Sequence, residues 1–482
     1  MSVQSAQQFV FGSWANKPIE VEQIDENLSS DGGLIAFFQL DQKLGWTESF
    51  ANHISDPRTD PTHSALSIVR QRIFGIIAGY EDQNDHDSLR SDPVFKLIAE
   101  QSPDDDDLAS QPTISRLENA VTPSDLLQME EWFIDRFVES FTEEPNEITL
   151  DIDTFDDPAH GKQQLVLFHG FYNQYQYQVR AITCAENDTI VLPSLPFGSA
   201  HASLGAADDL GRVIEKIRQR FPHVTIHVRA DSGFAVPEMY DTLERLDGVL
   251  YSIGYQMNAR VKRESNELLL QSVAAFESSG EVQRNFLLLD YRAKGWPRSR
   301  SIVVKCEVQS QGTNRRAVVT NRPGVSVCPN GVYDEYADRG ESENRNKELK
   351  CELCCDRLSD HRYMANLFRV MMHSVAANLL VRLRGIVEIV PEIDEFANAE
   401  IPLEAQSPEV KRRHHTRRRR RDPLGEGHAC TWRTHVIKVA CRVIVRTRRV
   451  RLQISSSWPW AGHLKRVAKM LASYQHPDLS SA

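Results

Sequence analysis

The sequence lacks long apolar runs, a basic leader and regularly spaced cysteines. None of its 482 residues belongs to a run of about 18 consecutive apolar side chains, so no transmembrane helix is expected. The first residues have no basic start followed by an apolar core, so no signal peptide is expected. The eight cysteines are scattered without a pairing rhythm, which is typical of a reduced, intracellular protein. We therefore expect a cytoplasmic protein with no membrane partner.

Positive charge is also scarce overall, because the formal net charge is −11. Residues 411–482, however, hold 18 Lys and Arg against 3 Asp and Glu, whereas the other 410 residues hold 38 against 64. Local phosphate contacts, rather than the overall sum, decide whether a protein binds nucleic acid. The basic end therefore favours a DNA partner. Within it, a run of five arginines spans residues 417–421, and we expect four of them to contact phosphate: Arg417, Arg418, Arg419 and Arg420.

Changes in pattern along the chain predict an α/β protein with added segments. Short strands followed by helices, with acidic residues at strand ends, indicate a mixed sheet flanked by helices. The predicted parts are a helical N-terminal part (1–145), an α/β part (146–249), a β-rich insertion (250–332), a helical part (333–390), and a linker with a basic C-terminal segment (391–482). For the first part, a plain helical bundle is an equal alternative to a helix-turn-helix-like DNA reader.

Three acidic positions stand out on these elements. Apolar and polar residues alternate in EITLDIDT, which puts Asp151 and Asp153 on the same face of one strand. A second strand, VTIHVRA, ends at Asp231, and Glu343 lies in a segment that we predict to be helical. An RNase H-like fold brings together carboxylates from elements of these kinds.

The segment around Glu343 carries a further pattern. Tyr336, Arg339, Glu343 and Lys350 follow one another at offsets of three, four and seven, which places them on one stripe of a continuous helix. A carboxylate flanked by two cations and a phenol suits a site that holds a metal ion and grips phosphate beside it. The alternative is a solvated charged helix face.

Clustered carboxylates are hard oxygen ligands, which suit Mg²⁺ or Mn²⁺ rather than zinc. Two such ions, ~3.5–4 Å apart, assist the in-line displacement of an oxygen at phosphorus. No side-chain nucleophile is needed for this chemistry, and we find no Ser-His-Asp or Cys-His arrangement in the sequence. The sequence therefore predicts two-metal-ion phosphoryl transfer.

The spacing Tyr-(2)-Arg-(3)-Glu-(6)-Lys resembles the signature around the third acidic residue in one group of DDE transposases from bacterial insertion sequences. LDIDTFDDPAHGKQQ and RADSGF resemble the segments that carry the first two acids, and the resemblance extends from about Leu28 to Leu471. It implies an RNase H-like core in two parts, 146–249 and 333–390, with the catalytic helix in the second part and the β-rich insertion before the glutamate. It also implies that the helical N-terminal domain (1–145) and the basic C-terminal segment (391–482) bind DNA. It also implies cleavage at the element's terminal inverted repeats and joining of the 3′-hydroxyl to target DNA.

The same resemblance assigns roles to individual residues. Asp153, Asp231 and Glu343 are expected to be the metal ligands, and Tyr336, Arg339 and Lys350 to grip the terminal phosphates. Two ends must be cut and paired, so a homodimer is expected, and a bacterial transposase would be associated with the nucleoid.

Some alternatives stay open at this stage. Asp151 is the fallback for the first metal ligand, because relatives often read Asp-x-Asp-x-Thr-Asp and the threonine is displaced by one here. Trp296 stacks on an unpaired base near the cleavage point or belongs to the core. The protein is a transposase, an RNase H-like endonuclease that only hydrolyses, or a non-catalytic DNA-binding derivative.

Overall fold

The computed structural model describes residues 9–24, 26–387 and 428–475. The strands are β1 (Phe9–Trp14), β2 (Lys17–Val21), β3 (Leu28–Ser29), β4 (Glu147–Pro158), β5 (Leu167–His169), β6 (Gln174–Cys184), β7 (Ile190–Ser194), β8 (Thr225–Ala230), β9 (Val249–Tyr255), β10 (Gln283–Tyr291), β11 (Arg300–Gln309), β12 (Gly312–Thr320), β13 (Cys441–Arg446) and β14 (Arg449–Ile454). The α-helices are α1 (Leu34–Leu44), α2 (Trp46–Ala51), α3 (Ala65–Ala78), α4 (His86–Leu89), α5 (Pro93–Ile98), α6 (Gln111–Glu118), α7 (Pro123–Glu139), α8 (Ala206–Arg220), α9 (Pro237–Arg245), α10 (Ala259–Glu264), α11 (Asn266–Ser279), α12 (Pro329–Ala337), α13 (Gly340–Lys347), α14 (Tyr363–Ile386), α15 (Ala429–Trp432) and α16 (Ala461–Ser473).

A nine-stranded mixed sheet forms the centre of the protein. Its order is β10-β11-β12-β9-β8-β4-β6-β5, with β7 also paired to β6. The central strand β4 is parallel to β8 and antiparallel to β6. Its inner half, from Ile148 to Ile152, is buried, as expected for a strand covered on both faces. The predicted mixed α/β architecture is confirmed.

The predicted β-rich region after residue 250 is not a separate sheet. Strands β10, β11 and β12 form a meander, and β12 pairs antiparallel with β9, so the meander extends the central sheet by three strands. Two helices that we did not predict, α10 and α11, precede the meander. The three strands themselves all lie within the predicted β-rich range, 250–332.

Helix α14 is the hub of the helical part. All of its residues from Ala365 to Leu380 are buried, as in a helix at the centre of a core. The helix is long and apolar enough to cross a membrane by length and composition, but 83% of its most apolar window is buried inside the protein. A buried core helix passes the same test. Helices α1, α3 and α7 pack against it.

The C-terminal residues share a core with the N-terminal helices. Strand β13 pairs with β3, and the Trp432 ring, in α15, is fully buried with its edge against Phe37 of α1. A Cβ atom on Gly33 would lie only 1.8 Å from the carbonyl oxygen of Val436, so only glycine permits this approach. The region of β3 and α1 and the described C-terminal residues therefore fold together. The division into domains stays a prediction, and the arginine run 417–421 lies outside the described residues.

Candidate active site

The parallel pairing of β4 with β8 brings the first two predicted acids together. Ile152 on β4 lies opposite Ala230 on β8, so the next residues, Asp153 and Asp231, follow at the same level. Parallel strands run side by side in one direction, and their carboxyl ends therefore meet at one edge. Asp231 ends its strand and caps the turn that follows, where its Oδ1 accepts a hydrogen bond of 2.8 Å from the Gly233 backbone N–H.

The third predicted acid comes from α13, which packs on β4. The helix turns its Ser342 side toward the sheet, and the Ser342 hydroxyl lies 3.2 Å from that of Thr183 on β6. Glu343, one residue further, points outward, and 58% of its side chain is exposed. A helix fixed along its buried face thus presents Glu343 to solvent above the sheet.

Arg339 joins the two carboxylates from β4 and α13. Its Nη1 donates a hydrogen bond of 3.0 Å to Asp153 Oδ2, and its Nη2 donates one of 2.6 Å to Glu343 Oε1. The guanidinium is largely buried. The charges of Asp153, Glu343 and Asp231 raise the pKa of Arg339 against the effect of burial. Two of the three acids therefore bind the Arg339 guanidinium directly, and the charge of Asp231 also acts on it.

The electrostatics of Asp153 also indicate a cluster of like charges. Burial raises the pKa of this carboxyl to about 6, and the nearby charges of Asp231 and Glu343 add to the rise. Arg339 acts in the opposite direction. A site where carboxylates repel one another in a partly dry environment favours the binding of a cation.

The expectation of one continuous helix from Tyr336 to Lys350 is wrong. Helix α12 ends at Ala337, and a tight turn through Arg339, with hydrogen bonds to the third residue back, separates it from α13. After α13 the backbone widens into a π-helical turn, Glu348–Glu352. Gly340 stands at the junction, where a glycine weakens the helical preference. The four signature residues thus lie on three successive pieces rather than on one stripe.

Lys350 lies beside a fourth carboxylate, which we did not predict as part of the site. Its Nζ is 2.6 Å from Asp156 Oδ1, near the end of β4. Hydrogen bonding to Lys350 lowers the pKa of Asp156, although burial opposes it. Asp156 lies only three residues after Asp153, and this closeness in sequence is the feature from which its place in the site could have been predicted.

Tyr336 approaches the backbone at Asp231. A Cβ atom on Gly254, in the neighbouring strand β9, would lie 2.6 Å from the Tyr336 hydroxyl and 3.0 Å from the Ser232 backbone nitrogen. Only a residue without a side chain leaves room for the phenol here. Burial raises the pKa of Tyr336, and the charge of Asp231 contributes in the same direction.

Asp151, the alternative first ligand, is engaged in a different contact. Arg229 on β8 donates hydrogen bonds of 2.7 Å from Nε and from Nη2 to its two carboxylate oxygens. Both side chains are buried, with 2% and 7% of their surface exposed. Arg229 Nη1 also donates to the backbone carbonyl of Glu335, just before Tyr336. Arg229, which sequence reasoning missed, therefore fixes α12 to the strand pair.

Trp296 lies in an aromatic cluster. Only 5% of its surface is exposed, and its ring lies 5.3 Å from Tyr240, 5.7 Å from Tyr255 and 5.9 Å from Tyr291. The guanidinium of Arg300 lies 4.8 Å from the same ring. Base stacking by Trp296 stays a prediction, and it requires the ring to leave this cluster.

A second group of possible ligands lies elsewhere. Side-chain atoms of Glu348, Glu352 and His428 all lie within 4.8 Å of one another. The Glu348 carboxylate is buried, and it already accepts hydrogen bonds from Arg384 and from the Ala429 backbone N–H. Arg384 thus already provides positive charge at this group, and none of its three members belongs to the predicted acidic set.

Comparison with known proteins identifies the family. A family model described as Transposase DDE domain group 1 matches residues 11–402. A solved structure of a piggyBac transposase synaptic complex with hairpin DNA is similar to this chain, with 12% sequence identity and a TM-score of 0.38. The similarity covers 73% of this chain and 74% of the piggyBac chain. A comparison with curated proteins finds no match. The prediction of a DDE transposase is confirmed, and the chain belongs to the transposases with a group 1 DDE domain.

Proposed function

We propose that this protein is a DNA transposase of a bacterial insertion sequence, in the group with the Tyr-Arg-Glu-Lys signature. It binds the terminal inverted repeats, cleaves DNA at the element's ends and joins the 3′-hydroxyl to target DNA. The observation that carries this proposal is the meeting of Asp153, Asp231 and Glu343 around Arg339. Their origin from a central strand, its parallel neighbour and a covering helix supports an RNase H-like assignment for this part of the sheet.

The donor set fits a hard divalent cation. It consists of carboxylates alone, and one of them, Glu343, is accessible to solvent. Its negative charge already attracts the guanidinium of Arg339. We propose that Asp153, Asp231 and Glu343 hold two Mg²⁺ or Mn²⁺ ions. Such ions, when bound, activate the attacking hydroxyl and neutralise charge on the leaving oxygen.

Asp153 is preferred over Asp151 as the ligand from β4. The Asp151 oxygens both accept hydrogen bonds from Arg229, and a buried ion pair is costly to open. The Asp153 carboxylate contacts Arg339, which is also bound to the exposed Glu343. Arg339 can exchange these contacts for a phosphate oxygen more readily than the buried Arg229.

The surrounding cations are proposed to hold the DNA. Arg339 offers a planar fork that matches phosphate geometry, and Lys350 adds a point charge close by. Tyr336 would donate its hydroxyl to a terminal phosphate beside Asp231. The helical region 1–145 and the basic residues 391–482, with their arginine run, are proposed as further DNA-binding parts, and a homodimer as the assembly that pairs two ends.

The test is cleavage of a labelled duplex that carries the element's own terminal repeat and flanking DNA. Wild-type protein with Mg²⁺ is expected to cut at the repeat boundary, and EDTA or Asp231→Ala to abolish the cut. Glu343→Gln is expected to abolish cleavage and to leave binding to the end within a few-fold. A Glu343→Gln protein that still cuts would remove this residue from the catalytic set.

The other two functions give different results in the same assay. An endonuclease would release the cut strand by hydrolysis and would never join a 3′-hydroxyl to a second duplex. A non-catalytic derivative would shift the duplex in a gel without any cut, in wild type and in variants alike.

A further inference from the structure

The hairpin of β13 and β14 has two chemically different faces. Residues directly opposite in the pairing share a face, and here Arg446 lies opposite Arg449, and Ile444 opposite Arg451. Arg442, two residues before Ile444, lies on the same face. One face of a short hairpin therefore carries four arginines.

The opposite face is apolar and anchors the base of the hairpin. Cys441 and Val443 are buried at the start of β13, and the Val443 backbone N–H donates a hydrogen bond of 2.8 Å to the Asn27 carbonyl. Pairing with β3 reaches only to Arg442. Among the described strands, β13 and β14 pair only with each other from Ile444 onward, and residues 445–451 are exposed. Roughly 10 Å of the hairpin therefore projects beyond the core.

The arginines of the projecting part are not used for folding. Arg446, Arg448, Arg449 and Arg451 are exposed, and none of them has an acidic partner among the residues that the structure describes. The Arg446–Arg449 pair sets two like charges directly opposite each other, which destabilises a hairpin. Arg442, nearer the base, is paired with Glu26. Such an arrangement costs stability unless an anionic partner neutralises the tip.

We propose that the β13–β14 hairpin is a DNA-binding ribbon whose arginine face contacts the phosphates of duplex DNA. This inference rests on the proposed function and adds a binding surface distinct from the acidic site. Alternate residues along a strand are about 6.6 Å apart, so Arg449 and Arg451 can reach separate phosphates. A two-stranded ribbon also fits the DNA major groove, which is ~12 Å wide. The acidic body of the chain offers no comparable partner charge beside the tip in the described residues.

The experiment measures binding of the full chain to a labelled random-sequence duplex in EDTA, as a function of salt concentration. The test variant replaces Arg446, Arg449 and Arg451 by Gln, and a second variant replaces them by Lys. The matched control replaces three exposed arginines that already have acidic partners, Arg90, Arg260 and Arg298, by Gln, with the same loss of net charge.

Losing three phosphate contacts is expected to weaken binding by about tenfold or more and to reduce the slope of log affinity against log salt by roughly 2.7. The Lys variant should keep most of the affinity and slope, and the control should resemble wild type. Thermal melting of each variant checks that the fold is intact. Equal losses of DNA affinity in the test variant and the control, or no loss of affinity in either, would overturn the proposal that the hairpin binds DNA.

Further outcomes separate this proposal from the proposed function. If wild type binds and cuts the terminal repeat while the Gln variant binds as tightly, only the ribbon is wrong. If wild type binds no duplex at all, the transposase function fails with it. Vesicles with 30% phosphatidylserine, tested in parallel, are expected not to bind. Suppose instead that wild type binds these vesicles but not DNA, and that the Gln variant no longer binds the vesicles. This result would overturn the proposal of a DNA-binding ribbon in favour of a lipid-binding surface.

Discussion

Asp151 and Arg229 lie opposite each other on neighbouring parallel strands, and two hydrogen bonds of 2.7 Å join the carboxylate to the guanidinium. The pair is buried, two residues before the Asp153–Asp231 level at which the site begins. One carboxylate of the Asp-Ile-Asp segment therefore holds the sheet and α12 together, and the other, Asp153, is the proposed metal ligand.

The first prediction separates these two carboxylates. Asp151→Asn leaves a buried, uncompensated arginine, so we expect a loss of unfolding free energy of about 3–5 kcal/mol. Asp153→Asn removes a carboxyl whose ionisation the fold disfavours, so we expect an unchanged or higher melting temperature together with loss of cleavage. Thermal melting and the cleavage assay measure the two effects. The assignment is reversed if Asp153→Asn unfolds the protein and a folded Asp151→Asn is inactive.

The second prediction concerns Arg339 as an internal cation. Because its guanidinium lies between Asp153 and Glu343, removing it increases the negative charge available to a metal ion. We expect Arg339→Gln to bind Mn²⁺ several-fold more tightly in the absence of DNA, as measured by electron paramagnetic resonance of free Mn²⁺. Cleavage should nevertheless fall, because the phosphate contact is lost.

Arg260→Gln is the control for this measurement, since that side chain is exposed and paired with Glu264. Its Mn²⁺ affinity should equal that of wild type. Weaker Mn²⁺ binding by Arg339→Gln would mean that the arginine organises the carboxylates rather than competing with a metal.

The third prediction tests the close approach of Tyr336 to β9. A methyl group at Gly254 would meet the Tyr336 hydroxyl at 2.6 Å, so Gly254→Ala must displace the phenol. We expect cleavage to fall by about ten- to a hundredfold, because small displacements at a catalytic site are costly. Tyr336→Phe combined with Gly254→Ala removes the clashing oxygen, so Gly254→Ala should cost less in the Tyr336→Phe background than in wild type. A remaining cost is expected from the contact of 3.0 Å with the Ser232 backbone nitrogen.

Gly211→Ala, in α8, is the matched control, because its new methyl group would meet nothing within 4 Å. It should leave cleavage unchanged and raise stability slightly, as alanine favours a helix. If the loss of cleavage in the double variant equals the sum of the losses in Gly254→Ala and Tyr336→Phe, the position of the Tyr336 ring does not matter for cleavage.

Features of the fold and the site that depend on neighbouring residues in the sequence could be predicted, and features that depend on distant residues could not. The alternation around Ile152 and the end of a strand at Asp231 are local patterns, and the structure has strands at both. The pairing of Asp151 with Arg229 depends on the register of strands that are 78 residues apart in sequence, which no local pattern contains. The break at Arg339 was missed because every residue from Tyr336 to Lys350 except Gly340 tolerates a helix, and the tight turn is a small departure from it.

The last prediction uses a buried carboxyl at the end of β4. Asp157 is fully buried, and burial, together with the charges of Asp356 and Asp156, raises its pKa to about 8 from the ordinary 3.8. Between pH 4 and 8 the folded protein therefore holds a proton that the unfolded chain has released, so this group lowers stability as pH rises, by at most about 1.4 kcal/mol per pH unit. Asp157→Asn removes that dependence.

We therefore expect the stability gain of Asp157→Asn over wild type, measured by urea unfolding, to increase from pH 5 to pH 8 and to level off above pH 8. Asp56→Asn provides a control of opposite sign. A hydrogen bond from Arg58 lowers the pKa of Asp56, so its stabilising contribution is complete above about pH 4, and the loss in this variant should be constant from pH 5 to 8. A constant difference for Asp157→Asn over the same range would mean that this carboxyl is ionised in the folded protein and has found a partner for its charge.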